Sequence, residues 1–255
     1  MKRITALLLA LLLIFGAASA LAETWTCPNC GKTGNDGAFC PGCGTPKPGS
    51  TNLQPGDMVY FGRWEQNDYT GDGAERIRWI VIAVDGSKLF LISEKALANV
   101  PFNSRSDGTS WAGSSLRRWL NYDFYRGAFS GQEQNAIYTT EVEDTVDHSY
   151  YQFNTASRFS GTSEDKIFIL SYLELNYLTI QMACAEPTAT VRKANRNIIT
   201  EKRDGNAYCY WWLRTSAYKN NAMIMGPNGF TSAYEHHPGI CVRPVLWVDA
   251  SAVTQ

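Results

Sequence analysis

Two segments near the C-terminus decide the fold: Tyr210-Trp211-Trp212-Leu213-Arg214 and Cys241-Val242-Arg243-Pro244-Val245-Leu246-Trp247-Val248. Between them, Ala222-Met223-Ile224-Met225 and Phe230-Thr231-Ser232-Ala233-Tyr234 flank the sequence Pro227-Asn228-Gly229. Short runs of aromatic and branched residues on either side of an Asn-Gly pair are typical of antiparallel hairpin strands. This end of the chain is therefore predicted to be a largely antiparallel sheet.

Two arginines, Arg214 and Arg243, stand among the apolar positions of these strands. Burying a guanidinium is costly unless its N–H groups are fully paired. These side chains therefore either brace the strands through carbonyl and carboxylate oxygens or point into a pocket, and bracing is the favoured interpretation. Function is expected in the loops at 215–221 and 234–240, and the candidate ligand-binding residues are Arg214, Tyr218, Tyr234, His236 and Arg243.

The preceding part of the chain predicts strands followed by helices. Strands are expected at 57–64, 76–84, 88–93 and 166–170, with a hairpin signal at Asp85-Gly86. Helices are expected over 114–120 and after two capping boxes, which begin at Ser130 and Ser171. Strands, then helices, then strands again indicate an α+β domain, residues 56–250, with helices packed on a mostly antiparallel sheet.

The N-terminus has the pattern of a secretory leader. Lys2-Arg3 precedes an apolar run from Ile4 to Phe15, and small residues follow. Residues 1–22 are therefore predicted to be a signal peptide that is cleaved after Ala22, and the alternative is an uncleaved membrane anchor. The expected product is secreted or associated with the cell envelope, with no stable membrane span after processing.

Four cysteines form two closely matched knuckles, Cys27-Pro28-Asn29-Cys30-Gly31 and Cys40-Pro41-Gly42-Cys43-Gly44. Two Cys-x-x-Cys turns at this distance suit one tetrahedral Zn²⁺, and residues 23–45 resemble a zinc ribbon. Because Cys27, Cys30, Cys40 and Cys43 would fill all four coordination positions, the zinc is expected to be structural. The alternative is two disulfides, since an exported chain meets oxidising conditions. Residues 46–55, rich in proline and glycine, are expected to be a linker.

The charge of the chain argues against nucleic acid as a partner. The formal charge is −1, and it becomes −3 once Lys2 and Arg3 leave with the leader, with 21 basic against 24 acidic side chains. Nucleic-acid binding requires a clustered positive field, and the knuckle segment offers only Lys32, with Lys47 in the linker.

A family resemblance rests on several marks between Gly56 and Val248. They include Tyr60-Phe61-Gly62-Arg63, Ser115-Leu116-Arg117, Trp119-Leu120-Asn121, Trp211-Trp212-Leu213-Arg214 and Val242-Arg243-Pro244. The region resembles the DUF6273 domain of exported bacterial proteins, mainly of Firmicutes, which carries no established activity. The closing segments are also similar to C-type-lectin-like folds, including the formylglycine-generating group, and this similarity implies a C-type-lectin-like sheet. Thr215-Ser216-Ala217 replaces the family's usual Ser-Pro-Gly.

Two functions follow as hypotheses. The favoured one is an exported, non-enzymatic recognition module for an extracellular or cell-envelope ligand, either glycan or peptide, because aromatic residues make up 13% of the chain and long loops are expected over the sheet. The alternative is an enzyme, oxidoreductase-like or hydrolytic, which uses Cys209 or Cys241 with His236 or His237. A reactive cysteine would have to be accessible and to have a low pKa, whereas buried cysteines would favour binding.

Overall fold

The computed structural model of the chain describes residues 24–35, 40–43, 51–67, 69–105, 108, 110–143, 161–217 and 220–255. The chain divides into two compact units, residues 1–50 and 51–255. In the first unit, the described residues form two turns that carry the four cysteines, and Trp25 and Asn35 form an isolated antiparallel bridge. Within the described residues, no helix combines the length and the apolar character that a membrane span requires.

The second unit is mainly antiparallel sheet with short helices. Its strands are β1 (Met58–Trp64), β2 (Glu75–Asp85), β3 (Lys88–Ser93), β4 (Thr140–Glu143), β5 (Thr162–Asp165), β6 (Thr200–Arg203), β7 (Asn206–Cys209), β8 (Trp211–Ser216), β9 (Asn221–Gly226), β10 (Gly229–Tyr234) and β11 (Val245–Asp249). Its helices are α1 (Ser115–Trp119), α2 (Tyr125–Ala128), α3 (Gly131–Ala136), α4 (Ile180–Ala183) and α5 (Ala189–Ala194). A π turn (Leu120–Phe124) joins α1 to α2, and 3-10 turns lie at Trp111–Gly113, Leu173–Tyr177 and Ala250–Ala252.

The central sheet has the strand order β1-β2-β3-β11, and all its pairs are antiparallel. The predicted hairpin at Asp85-Gly86 is confirmed: β2 and β3 pair up to the turn, where Gly86 has a φ of +60°. Leu89, Phe90, Leu91 and Ile92 are all buried, so both faces of β3 are covered. The C-terminal strand β11 closes the sheet by pairing with β3, which places Trp247 opposite Phe90.

A second sheet has the order β10-β9-β8. The predicted Asn-Gly hairpin is confirmed, because β9 pairs with β10 in continuous register from Gly226 and Gly229 outward, and Gly229 has a φ of +116°. Trp211 and Trp212 of β8 are fully buried. Cys241 forms an isolated parallel bridge with Trp211, so the two segments that decide the fold lie side by side.

The predicted first helix is longer than expected. It begins after Ser114, whose side chain accepts the N–H of Arg117, and it continues through the π turn to Ala128. Leu116, Leu120 and Phe124 are fully buried along it. The Ser130 capping box opens α3 as expected, whereas the reciprocal bonds between Ser171 and Glu174 precede a 3-10 turn.

The strand predicted at 166–170 is wrong, although Ile167, Phe168, Ile169 and Leu170 are all buried. Only Phe168 makes a ladder contact, an antiparallel bridge to Val245. The other backbone groups have different partners: Asn121 Oδ1 accepts the N–H groups of Lys166 and Ile167, and Arg214 takes the Ile169 carbonyl. The apolar run at 166–170 therefore indicated that these residues are buried, but it did not indicate that they pair as a strand.

Candidate functional site

The first candidate site is the four-cysteine cluster. The Sγ atoms of Cys27, Cys30, Cys40 and Cys43 all lie within 4.8 Å of one another. Cys27 and Cys43 are 3.6 Å apart, and Cys30 and Cys40 are 3.5 Å apart. A tetrahedral site with Zn–S bonds of about 2.3 Å has S–S edges of about 3.8 Å, whereas a disulfide is only about 2.05 Å long. The cluster therefore has the dimensions of a site that could bind one metal ion.

The backbone of the two knuckles is shaped around the sulfurs. In the first, the Gly31 N–H donates to the Cys27 carbonyl over 2.9 Å, and Gly31 has a φ of +72°. In the second, the Gly42 N–H donates to Cys40 Sγ over 3.4 Å. A Cβ atom on Gly42 would lie 3.3 Å from Lys32 Cδ and at ordinary contact distances of 3.6 Å and 3.7 Å from the sulfurs of Cys40 and Cys30.

The acidities of two of these thiols also fit a cation site. Burial tends to raise the pKa of Cys27, but the N–H groups of Cys30 and Asn29 outweigh it and leave that pKa below its usual range. The Lys32 N–H lowers the pKa of Cys30, but the adjacent thiols of Cys43 and Cys40 raise it to about 12. Four thiols this close resist joint ionisation, and a bound cation supplies the charge that makes it favourable.

The second candidate site, here named the aromatic groove, consists of two adjoining cavities of about 310 Å³ and 280 Å³ in the second unit. Both are lined by Thr140, Glu141 and Trp247. The larger cavity adds chiefly Phe90, Glu143, Phe168, Glu174, Tyr177 and Arg214, and the smaller adds Asp85, Lys88, Tyr138 and Thr139.

Sheet register creates the aromatic floor of the groove. Trp247 and Phe90 are cross-strand partners, and their rings stack at 4.8 Å with an interplanar angle of 5°. The Phe168 ring stacks 5.8 Å from the Phe90 ring, and the bridge to Val245 holds Phe168 beside β11. Tyr177 meets Phe90 edge-on at 5.7 Å and is 48% exposed. The floor is therefore fixed by backbone pairing.

The rim of the groove is polar and has more acidic than basic side chains. The Tyr138 N–H donates to the Trp247 carbonyl over 2.9 Å, which brings the start of β4 alongside β11. Glu141 and Glu143 alternate with the buried Val142 on β4, so both carboxylates face outward. Lys88 places its ammonium 4.8 Å from the centre of the Tyr138 ring.

Arg214 lines the larger cavity, but its guanidinium is engaged within the protein. It forms a two-pronged ion pair with Glu174, with Nη2 to Oε1 at 2.7 Å, and donates to the carbonyls of Glu143 and Ile169, each over 2.9 Å. Arg214 is only 4% exposed. It therefore braces the rim by holding β4 to the 3-10 turn that carries Tyr177.

Arg243 is completely buried and lies apart from the groove lining. Its guanidinium donates to the carbonyls of Ser93, Met182 and Glu94 and lies 5.3 Å from the Trp211 ring centre. Burial lowers the pKa of Arg243 to about 10. Carbonyl oxygens are acceptors that stabilise a buried guanidinium, so this side chain joins β3, α4 and β8.

Two more of the predicted ligand residues, Tyr234 and His236, lie at the end of β10. Tyr234 is 60% exposed, and its ring lies 5.9 Å from that of His236, which is also exposed. Tyr218 lies outside the described residues. The structure thus brings Tyr234 and His236 together, while Arg214 belongs to the groove and Arg243 to the core.

Cys209 and Cys241, the residues of the enzymatic hypothesis, are fully buried. The Cys209 thiol donates to the Ala185 carbonyl over 3.3 Å. A hydrogen bond with Cys209, together with burial, raises the pKa of Cys241 well above its usual range. His237 Nδ1 accepts the Gly239 N–H over 3.0 Å. Both thiols are buried, and the pKa of Cys241 is raised, which is typical of an inert cysteine and not of a nucleophile.

Sequence patterns did not mark the groove residues Glu141, Tyr177 and Trp247 as candidates for ligand binding. Trp247 lies in an apolar strand, and Tyr177 and Glu141 lie in segments without a motif. The only signal was the general aromatic enrichment, because these residues meet through strand pairing that no local pattern encodes.

Comparison with known proteins gives one family. Residues 86–250 match the family model described as "Domain of unknown function (DUF6273)". The match begins in the β2–β3 turn and ends just after β11, so it contains the groove lining except Asp85. No curated protein and no solved structure matches the chain. The matched residues make up more than half of the sequence, and the chain therefore belongs to the DUF6273 family.

Proposed function

We propose that this chain is an exported recognition module without catalytic activity, which binds an envelope ligand in the aromatic groove. The observation that carries this proposal is the shared position of Trp247, which is partly exposed and lines two adjoining cavities of about 310 Å³ and 280 Å³. A mostly apolar floor with a few polar rim groups is the usual composition of a ligand site.

The groove is preorganised for binding. Its floor is part of a four-stranded antiparallel sheet, and its rim is held by the ion pair between Arg214 and Glu174. Groups that are already fixed lose little conformational entropy when a ligand arrives, so more of the contact energy is available for affinity. This arrangement supports binding without a large rearrangement of the protein.

The placement of the carboxylates in the larger cavity, Glu141, Glu143 and Glu174, favours binding over glycoside hydrolysis there. Hydrolysis of a glycosidic bond requires two carboxyl groups on opposite sides of the scissile bond. Glu141 and Glu143 lie two residues apart on β4 and therefore face the same way on one rim. Glu174 is tied to Arg214. The burial of Cys209 and Cys241 likewise weighs against the enzymatic alternative.

Three further parts of the proposal rest on separate observations. The leader at residues 1–22 supports export, and the four sulfurs within 4.8 Å support one structural Zn²⁺ held by Cys27, Cys30, Cys40 and Cys43. Because four thiolates leave no open coordination position, the ion would be structural. Its binding free energy would stabilise the short segment. The proposed C-type-lectin-like arrangement requires the two closing segments to lie side by side, and the backbone N–H of Trp212 donates to the Cys241 carbonyl over 3.0 Å.

The groove is tested by retention of the purified mature protein on cell-envelope preparations of the host. Tyr177→Ala removes a half-exposed aromatic side chain from the floor, and Tyr122→Ala removes a similarly exposed tyrosine elsewhere, 53% exposed against 48%. We expect retention of the native protein and of the Tyr122 variant, and weaker retention of the Tyr177 variant. Equal retention of the two variants, or no retention of the native protein, would contradict the proposal.

A further inference from the structure

We infer that the aromatic groove takes a segment of neutral polysaccharide, with one sugar ring on the free face of Trp247 and the next beside Tyr177. This inference rests on the proposed function and adds the chemical class of the ligand.

The orientation of Trp247 supports contact with a sugar ring. One face of its indole is stacked on Phe90 with an angle of only 5°, yet Trp247 also lines the smaller cavity. The opposite face is therefore the one available to a ligand. A flat, partly exposed indole suits the C–H face of a pyranose ring, which offers apolar area and weakly positive hydrogens to the negative face of the ring.

The groups around Trp247 in the smaller cavity include both hydrogen-bond donors and acceptors, as sugar hydroxyls require. Asp85 and Glu141 supply acceptors, Lys88 supplies donors, and the hydroxyl groups of Thr139 and Thr140 supply both. Sugar hydroxyls also donate and accept, so they can use all of these groups at once. This cavity has two acidic side chains and one basic side chain, so groups of both charges are available to the hydroxyls of a neutral ligand.

The charges of the groove disfavour two other classes of polymer, anionic polymers and basic peptides. An anionic polymer would have to approach Asp85, Glu141 and Glu143, and like charges at short range repel. A basic peptide would be attracted to these carboxylates, but the Lys88 ammonium, which lies over the Tyr138 ring in the smaller cavity, would repel it. A neutral polyhydroxyl ligand incurs neither repulsion.

The two cavities of the groove are continuous with each other. The two cavities share Thr140, Glu141 and Trp247, so a ligand that fills one extends directly into the other. Tyr177 stands at the second position, in edge contact with Phe90. Two adjacent aromatic positions favour consecutive sugar units of one chain over a single small molecule.

The test separates ligand classes on the same envelope preparation. One sample is digested with protease, and a second is treated with hydrofluoric acid, which removes phosphate-linked polymers. The remaining glycan is hydrolysed to oligosaccharides and divided by ion exchange into neutral and charged fractions. We expect retention to survive both treatments and the neutral fraction alone to compete with it.

Variants provide the link to the groove. Tyr177→Ala, Glu141→Gln and Lys88→Met should each weaken competition by the neutral oligosaccharides roughly 3- to 10-fold, as expected for one aromatic or polar contact. Tyr122→Ala is the control and should bind as the native protein does.

Three results would overturn this inference: loss of retention after protease, loss after hydrofluoric acid, or competition by a charged fraction alone. If retention in those cases still depended on Tyr177, the groove would remain the binding site and only the ligand class would be wrong. If no retention depended on Tyr177, the proposed function itself would fail.

Discussion

Asp165 is a buried carboxylate that ties together several side chains around the first helix. It is 1% exposed, yet all its oxygens are used: Trp111 Nε1 donates to it over 2.8 Å, Arg117 Nε over 2.6 Å and Ser163 Oγ over 2.8 Å. Asn121 adds a bond of 3.2 Å. A buried carboxylate is tolerated when its charge is paired and its lone pairs are satisfied.

Replacing Asp165 with alanine should therefore strongly lower stability. The substitution leaves the Arg117 guanidinium and the Trp111 N–H without their shared acceptor, and we expect a loss of about 3–5 kcal/mol in the free energy of unfolding. Urea denaturation followed by tryptophan fluorescence measures it. Glu164→Ala, on the exposed neighbour in β5, is the control and should cost within about 0.5 kcal/mol. Similar losses for the two variants would refute the role of Asp165.

The raised pKa of Tyr210 makes the free energy of unfolding depend on pH in the alkaline range. Burial, with the hydrogen bond to Glu201 at 2.7 Å, raises the pKa of Tyr210 to about 12, whereas an unfolded tyrosine has a pKa of about 10. Because the pKa of Tyr210 is higher in the folded state, its protonated hydroxyl group contributes to stability. This contribution is complete below about pH 10 and is lost as the pH rises from about 10 through about 12.

The difference in unfolding free energy between the native protein and Tyr210→Phe should accordingly be constant up to about pH 9.5 and shrink above it. Phenylalanine keeps the ring, which packs against Gly226, so other titrating groups cancel in the difference. Urea titrations at several pH values provide the measurement. A difference that stays flat to pH 11.5 would contradict the assigned role.

At the scale of the element, the two cysteine knuckles have only a small core, so the proposed zinc ion would be their main source of stability. Among the described residues of the first unit, the buried apolar cluster comprises Trp25, Cys27 and Cys40. So small a cluster releases little hydrophobic free energy, and metal coordination is the interaction that can compensate for chain ordering.

Elemental analysis of the purified protein should therefore give one zinc per chain. Cys30→Ser should lower this content, since it removes one of four thiolates, while Cys184→Ser outside the cluster should leave it at one. Cobalt substitution should give the visible absorption of a tetrahedral thiolate site. Metal-free protein that contains two disulfides among these four cysteines would eliminate the zinc proposal.

At the scale of the whole molecule, the proposed location of the protein depends on its leader. Both Ala18-Ser19-Ala20 and Ala20-Leu21-Ala22 satisfy the small-x-small rule for cleavage. Mass spectrometry of the exported protein should find Glu23 at the N-terminus. Ala22→Arg should move the start to Leu21, because the first of the two patterns remains intact. Recovery of uncleaved chain from the membrane fraction would support an anchor instead.

The sequence alone determined those features whose physical cause is local. Asn228-Gly229 and Asp85-Gly86 predicted hairpins because positive φ values at tight turns restrict the residue type, and the Cys-x-x-Cys pairs predicted the sulfur cluster because each knuckle needs only five residues. One wrong prediction shows the limit of a local pattern. Residues 166–170 look like a strand, but the Asn121 side chain and Arg214 bind their backbone from distant parts of the chain.

Only the tertiary structure decided where ligand binding is proposed. Glu141, Tyr177 and Trp247 are separated by long stretches of sequence and meet because β11 pairs with β3 while the start of β4 runs beside it. Tertiary contacts also assigned Arg214 and Arg243 to protein carbonyls and Glu174. The physical reason is that a local pattern fixes backbone conformation and burial, whereas the partner of a side chain depends on strand pairing between remote segments.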